Sequence, residues 1–266
     1  MTQFGVYGDL HVSLDNNIAE AEIRRPPNNF FDLDLIDGLV AAFRDLDQED
    51  NCRAIVLCAE GKNFCAGAKF HNDGTRGGEI TAKNPDGSPR HLYDAAFDLF
   101  SCKTPVVAAV QGAAVGGGLG VACFADFRIA APEARFTANF ARLGFHHGFG
   151  LSVTLPGLVG QQKALELLYT GARIKGEEAV EIGLADKLVP LKDLRSATFD
   201  FAGEIAASAP LAVESIRETM RGHLPAAIKS ATDREKEEQD RLRTTDDWKE
   251  GVSAMNERRH PNFSRR

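Results

Sequence analysis

From Pro105 to Ala125 the chain carries no charged residue. A stretch of that length approaches what a membrane span needs. Its composition argues otherwise, because it contains Pro105, Gln111 and the glycines Gly112, Gly116, Gly117, Gly118 and Gly120. A lone lipid-facing helix is poorly served by that set. A buried strand, a glycine turn and a buried helix account for it. The expected strand runs from Pro105 to Val110, and the helix begins near Gly118.

The flanking sequence repeats the alternation. His11 to Asp15 and Ile18 to Arg24 surround Asn16-Asn17, a hairpin signal. Leu35, Leu39, Ala42, Phe43 and Leu46 form one stripe, which predicts a helix over 35–46. Residues 53–58 and 127–130 read as further buried strands, and 92–100 as a helix. Residues 71–90 are polar and rich in glycine, and are expected to form a long mobile loop. Helical patterns follow over 161–169, 176–182, 194–208, 211–223 and 226–243. Strands alternating with helices predict an α/β fold with parallel pairing. The division expected is a core over residues 1–200 and a helical C-terminal region over 201–266.

Bulk properties narrow the function classes. The chain has 266 residues, enough for a real core, and a net charge of −7. Nucleic-acid binding demands a concentrated basic face, which this balance does not favour. Cys52, Cys58, Cys65, Cys102 and Cys123 are odd in number and form no CxxC pair. They read as buried free thiols in a reducing compartment, the cytoplasm. The first residues lack the basic-then-apolar order of a secretory signal. No metal-ligand cluster is evident, and no metal or separate cofactor is expected.

Common catalytic and nucleotide-binding motifs such as GxSxG, HExxH, a P-loop and GxGxxG after a strand are absent. The informative segment is Val110-Gln111-Gly112-Ala113-Ala114-Val115-Gly116-Gly117-Gly118-Leu119-Gly120. Glycines there allow a ligand to approach bare backbone, and the first turn of a helix has N–H groups without internal partners. Ala66-Gly67-Ala68 also follows a buried strand. Two N–H groups converging from two such turns would make an oxyanion hole. The same glycines would equally serve a close-packed turn that binds nothing.

Phe64-Cys65-Ala66-Gly67-Ala68, followed by Gln111 to Gly118, resembles the enoyl-CoA hydratase/isomerase (crotonase) family. Leu158 to Ala164, Leu168 to Ile174, Ala185 to Val189, and in the tail Asp247 to Val252 and then Glu257 to Phe263, are similar to it in the same order. The resemblance implies a spiral of strand-strand-helix units with a C-terminal helical region that assembles homotrimers or hexamers. It implies an acyl-CoA substrate, with coenzyme A part of the substrate rather than a cofactor. It places the oxyanion hole on the backbone N–H groups of Ala68 and Gly117. Ala66 and Lys69 are the implied contacts beside it. Met255 and Arg258 fall on positions that touch CoA from a neighbouring subunit; Arg258 could equally belong to a generic basic tail.

The departures are equally specific. Hydratases of the family carry a glutamate where this chain has Gly120, and a second where it has Phe140. Without them the paired-carboxylate route to hydration is unavailable. GGGLG also resembles 4-chlorobenzoyl-CoA dehalogenase, but the nucleophilic aspartate of that enzyme falls on Gly148. Replacement acids and bases are sought in Arg142, His146 and His147, which follow Phe140; one histidine could instead cap the next helix while the other faces solvent. Asp73, Arg76, Glu79 and Tyr93 read as solvated surface groups, and Cys65 as strand packing. Three functions stay open: an acyl-CoA enzyme of non-standard reaction, a C–C bond hydrolase of a β-diketone or β-keto thioester, and a binding-only member.

Overall fold

The computed structural model describes residues 2–70, 76–77, 81–83 and 86–266. The chain opens with an antiparallel meander: β1 (Thr2–Tyr7), β2 (Leu10–Asp15) and β3 (Ile18–Ile23). Asn16 and Asn17 take φ of 48° and 66°, the left-handed geometry a tight hairpin requires. After α1 (Leu33–Leu46), capped by the Asp32 carboxylate accepting from the Leu35 amide, the pairing turns parallel. The strands β4 (Ala54–Ala59), β5 (Val106–Val110), β7 (Phe127–Ala130) and β10 (Lys187–Leu188) extend the meander into one seven-stranded sheet. Every residue of β4 and β5 is buried, which explains their unbroken apolar reading.

A second sheet is built from short strands: β6 (Ala113–Val115), β8 (Arg135–Thr137) and β9 (Arg173–Lys175). Each pass of the chain visits the large sheet, then the small one, then a helix. After β4 comes a bridge from Cys65 to Ala114 and later α2 (Leu92–Phe100). After β5 come β6 and α3 (Gly117–Phe124); after β7 come β8 and α4 (Leu151–Thr170). This is the strand-strand-helix spiral.

The remaining helices are α5 (Gly176–Glu181), α6 (Leu194–Ala206), α7 (Pro210–Arg221), α8 (Leu224–Leu242) and α9 (Asp246–Glu257). Residue 201, the expected boundary, falls inside α6, whose Leu194, Ala202 and Ala206 join Val56, Val107 and Ile129 in one apolar cluster. α8 packs on α2 and α4, and α9 on the 3-10 turn Ala141–Leu143. None of the helices among the described residues is long and apolar enough to cross a membrane. All five cysteines are buried and free.

Part of the expected loop at 71–90 lies outside the described residues. Those described include short antiparallel pairings, Lys69–Phe70 with Arg76–Gly77 and Thr81–Lys83 with Pro89–His91. His71, Asp73, Glu79 and the side chain of Arg76 are not among the described positions.

Candidate active site

Two turns meet between the sheets. The Cys65 amide donates to the Ala113 carbonyl, and the Val115 amide donates to the Cys65 carbonyl. This lashes Ala66-Gly67-Ala68 to the start of α3. The glycines are dictated by the closeness of that meeting. Gly67 has φ of 82°, and a Cβ there would lie 2.6 Å from the Val115 carbonyl oxygen. A Cβ at Gly118 would lie 2.1 Å from the Cys65 carbonyl oxygen, and one at Gly117 2.6 Å from the Phe31 ring. Burial pushes the Cys65 thiol up to about 12, so it packs and does not ionise.

A cavity of about 110 Å³ opens at this junction. Ala66, Ala68, Gly116 and Gly117 form one wall. Among the described residues the Ala68 amide takes part in no backbone hydrogen bond, and Gly117 opens α3, where no intrahelical acceptor exists. Phe31, Phe70, Phe140, Phe145 and Phe149 supply an aromatic lining, with Met255 from α9. Asn139, Tyr93 and Gln239 are its polar members. Tyr93 is 7% exposed, which corrects its reading as a solvated surface group: the apolar face of α2 carries it inward.

The two positions where the resemblance puts the hydratase carboxylates are physically occupied. A Cβ at Gly120 would lie 2.7 Å from the Phe149 ring. Phe149 itself holds φ of 60°, a strained conformation for a bulky residue, and packs edge-on to Phe31 at 5.0 Å. Phe140 stands on the cavity wall and stacks obliquely on Phe145 at 5.6 Å.

His146 and His147 do not line this cavity. Their rings stack on each other at 4.1 Å. His146 Nδ1 donates to the His147 carbonyl at 2.8 Å. His147 Nε2 donates to Ser152 Oγ at 2.8 Å, and Ser152 Oγ donates to Glu235 Oε1 at 2.6 Å. Glu235, 0% exposed, also accepts from the Gly150 and Ser152 amides, so the chain of bonds ties the start of α4 to α8. Burial, then the neighbouring His146, depresses His147 to about 4. Burial raises Glu235, opposed by its hydrogen bonds. These groups are consumed by tertiary structure, and His147 serves the first turn of α4.

Arg142, Met255 and Arg258 line a neighbouring cavity of about 590 Å³, together with Arg173 and His260. Val115, Asn139, Leu143 and Met255 are common to both cavities. Met255 reaches the site within its own chain. Lys69 is exposed and lines neither. Arg142 Nε donates to the Thr170 carbonyl at 2.5 Å. Gln239, Tyr93 and Asn139 were missed from the sequence as cavity residues. Among the described residues no group of three metal-ligating side chains stands together.

The sequence profile described as enoyl-CoA hydratase/isomerase matches residues 13–266. The chain belongs to the enoyl-CoA hydratase/isomerase family. It is 35% identical over 218 residues to a Mycobacterium tuberculosis protein named "Probable enoyl-CoA hydratase EchA14", covering 81% of this chain and 82% of the relative. It is 30% identical to the short-chain-enoyl-CoA hydratase of Clostridium acetobutylicum, covering 92% and 93%. An enoyl-CoA hydratase/isomerase structure from Pseudoalteromonas atlantica superposes with a TM-score of 0.83 at 29% identity, over 96% of this chain and all of that one. The spiral and the helical C-terminal region of this enoyl-CoA hydratase/isomerase family member therefore follow the fold of its relatives.

Proposed function

We propose that the chain is an enzyme acting on a short acyl-CoA thioester, stabilising its enolate between the amides of Ala68 and Gly117, by a reaction other than two-glutamate hydration. One observation carries this: the cavity where the two glycine turns meet has two donor amides and no carboxylate among its described lining residues. As negative charge grows on the thioester oxygen, fixed donors aimed at it lower the barrier, each by roughly 3 kcal/mol. The volume supports a short acyl group. At about 110 Å³ the cavity between the glycine turns is small. The arginines of the larger cavity offer charge for the phosphates of CoA. The five buried thiols support a reducing compartment. The histidines' engagement away from the cavity removes the base that a C–C hydrolase reading would use.

Two measurements test the proposal. Crotonyl-CoA should bind yet be hydrated far more slowly than the order of 10 per second typical of enzymes. Turnover at that level would overturn the non-standard reading. The second concerns Gly117. Proline is tolerated at the first position of a helix and removes the donor. Since a Cβ at Gly117 meets Phe31, the change is made as Gly117→Pro with Phe31→Leu, against Phe31→Leu alone. The added proline should cost about 100-fold to 1000-fold in turnover on whichever thioester is a substrate. Unchanged turnover, in a folded protein, would remove Gly117 from the oxyanion hole.

A further inference from the structure

Without carboxylates, the cavity needs another route for a proton. Tyr93 is the one ionisable side chain on its wall among the described residues. Where the phenol points follows from Gly148. An ideal Cβ at Gly148 would lie 1.7 Å from Tyr93 Oη and 2.7 Å from Gln239 Nε2. Gly148 itself lines the cavity. The hydroxyl thus occupies the room that a side chain at position 148 would take.

The placement is held from several sides. Tyr93 sits in the first turn of α2, where its amide donates to His91 Nδ1 at 3.1 Å and the His91 amide donates to the Asp94 carboxylate at 2.8 Å. The His91 ring packs edge-on to Tyr93 at 4.8 Å. Gln239 is fixed by donating to the His146 carbonyl at 2.9 Å. The cavity is small, about 110 Å³. An acyl group whose carbonyl oxygen rests on the amides of Ala68 and Gly117 has its α-carbon one carbon further in. Tyr93, Ala68 and Gly117 line this one cavity, so a thioester held on the amides shares its space with the phenol oxygen.

We propose that Tyr93 is a catalytic residue that carries the proton to and from the α-carbon of the bound thioester. This rests on the acyl-CoA reading above. In the protonating direction, the enolate's carbon–carbon pair takes the phenol proton and forms the C–H bond. The carbonyl double bond re-forms, and the O–H pair remains on the tyrosine oxygen until water returns a proton. The reverse breaks the C–H bond, and its pair moves through the carbon–carbon bond to put charge on the oxygen between the two amides. Asn139 and Gln239 offer only amides, which orient but do not ionise.

Butyryl-CoA in D₂O tests this, with deuterium at its α-carbon read by mass spectrometry and binding read by calorimetry. The intact protein should bind it and incorporate deuterium. Tyr93→Phe keeps the ring and removes only the oxygen; exchange should fall by about 100-fold or more with affinity within about twofold. Gly148→Ala, which keeps the phenol but displaces it, should lose exchange as well. Exchange at the original rate in Tyr93→Phe would overturn the assignment, as would an intact protein that binds butyryl-CoA without exchange. Failure to bind acyl-CoA at all would instead overturn the acyl-CoA reading on which it stands.

Discussion

Gly120 and Gly148 are both glycines at positions where the resemblance puts a carboxylate, yet they mean different things. At Gly120 the vacated room is filled by the Phe149 ring, 2.7 Å from where a Cβ would be. At Gly148 it is filled by polar atoms, the Tyr93 hydroxyl and the Gln239 amide. The space beside Gly120 is apolar and the space beside Gly148 is polar. It follows that Gly120→Glu should not create a hydratase. The larger side chain must displace Phe149 and bury a carboxylate among aromatic rings, so the variant should lose a few kcal/mol of stability in denaturant titration and still not hydrate crotonyl-CoA. The glycine pattern was legible in the sequence; the occupants of the space were not, because Phe149, Tyr93 and Gln239 arrive from three distant segments. A partial signal existed. Tyr93, Ala96 and Phe100 share the apolar stripe of α2, and Ile228, Thr232, Glu235 and Gln239 recur at helical spacing on the buried face of α8.

Among the elements, those with strong periodicity or unbroken apolar runs were readable: the hairpin, α1, α2, β4, β5 and β7. The short strands β6, β8, β9 and β10 were not, since two or three residues carry no period. The first half of α4 was hidden by Pro156 and Gly157, and the expected start at residue 161 coincides with the break at Gly160, whose φ is 76°. α9 reads as a tail until its Trp248 is seen packing on Phe145 at 4.5 Å. Two helix starts carry a pH signature. His91 opens α2, and burial, then Lys236 and Arg243, depress it to about 4, with Asp240 and Asp94 opposing. His147, at the start of α4 against His146 and Glu235, is depressed to about 4 as well. The unfolded chain takes up these protons from about pH 6.5, the folded one only near 4. Stability present above pH 6.5 is therefore lost as the pH falls toward 4. Melting temperature should decline across that window, and a His91→Asn, His147→Asn double variant should show a shallower decline.

For the whole molecule, α7 is the exception to a well-covered chain. None of its residues is buried, and Leu211, Ile216 and Met220 are 78%, 63% and 68% exposed. Solvent-exposed apolar side chains in such concentration would suit a surface for assembly. Sedimentation at micromolar concentration should give a trimer or hexamer; charged replacements at Ile216 and Met220 should shift it toward monomer without touching the cavity. A monomeric intact protein would count against the oligomerisation role expected for this region.

The cavity draws its glycine turns from residues 66–68 and 116–118, but Gln239 comes from α8 and Met255 from α9. A chain still being synthesised can form both sheets and lash the turns together, and it will hold a half-walled site open to water. On the proposed function, the nascent protein would lack a complete site until those helices emerge. Ligand affinity should appear in ribosome-released chains and be missing from nascent ones stalled before α8, which makes the last helices to emerge the step that commits the molecule to its chemistry.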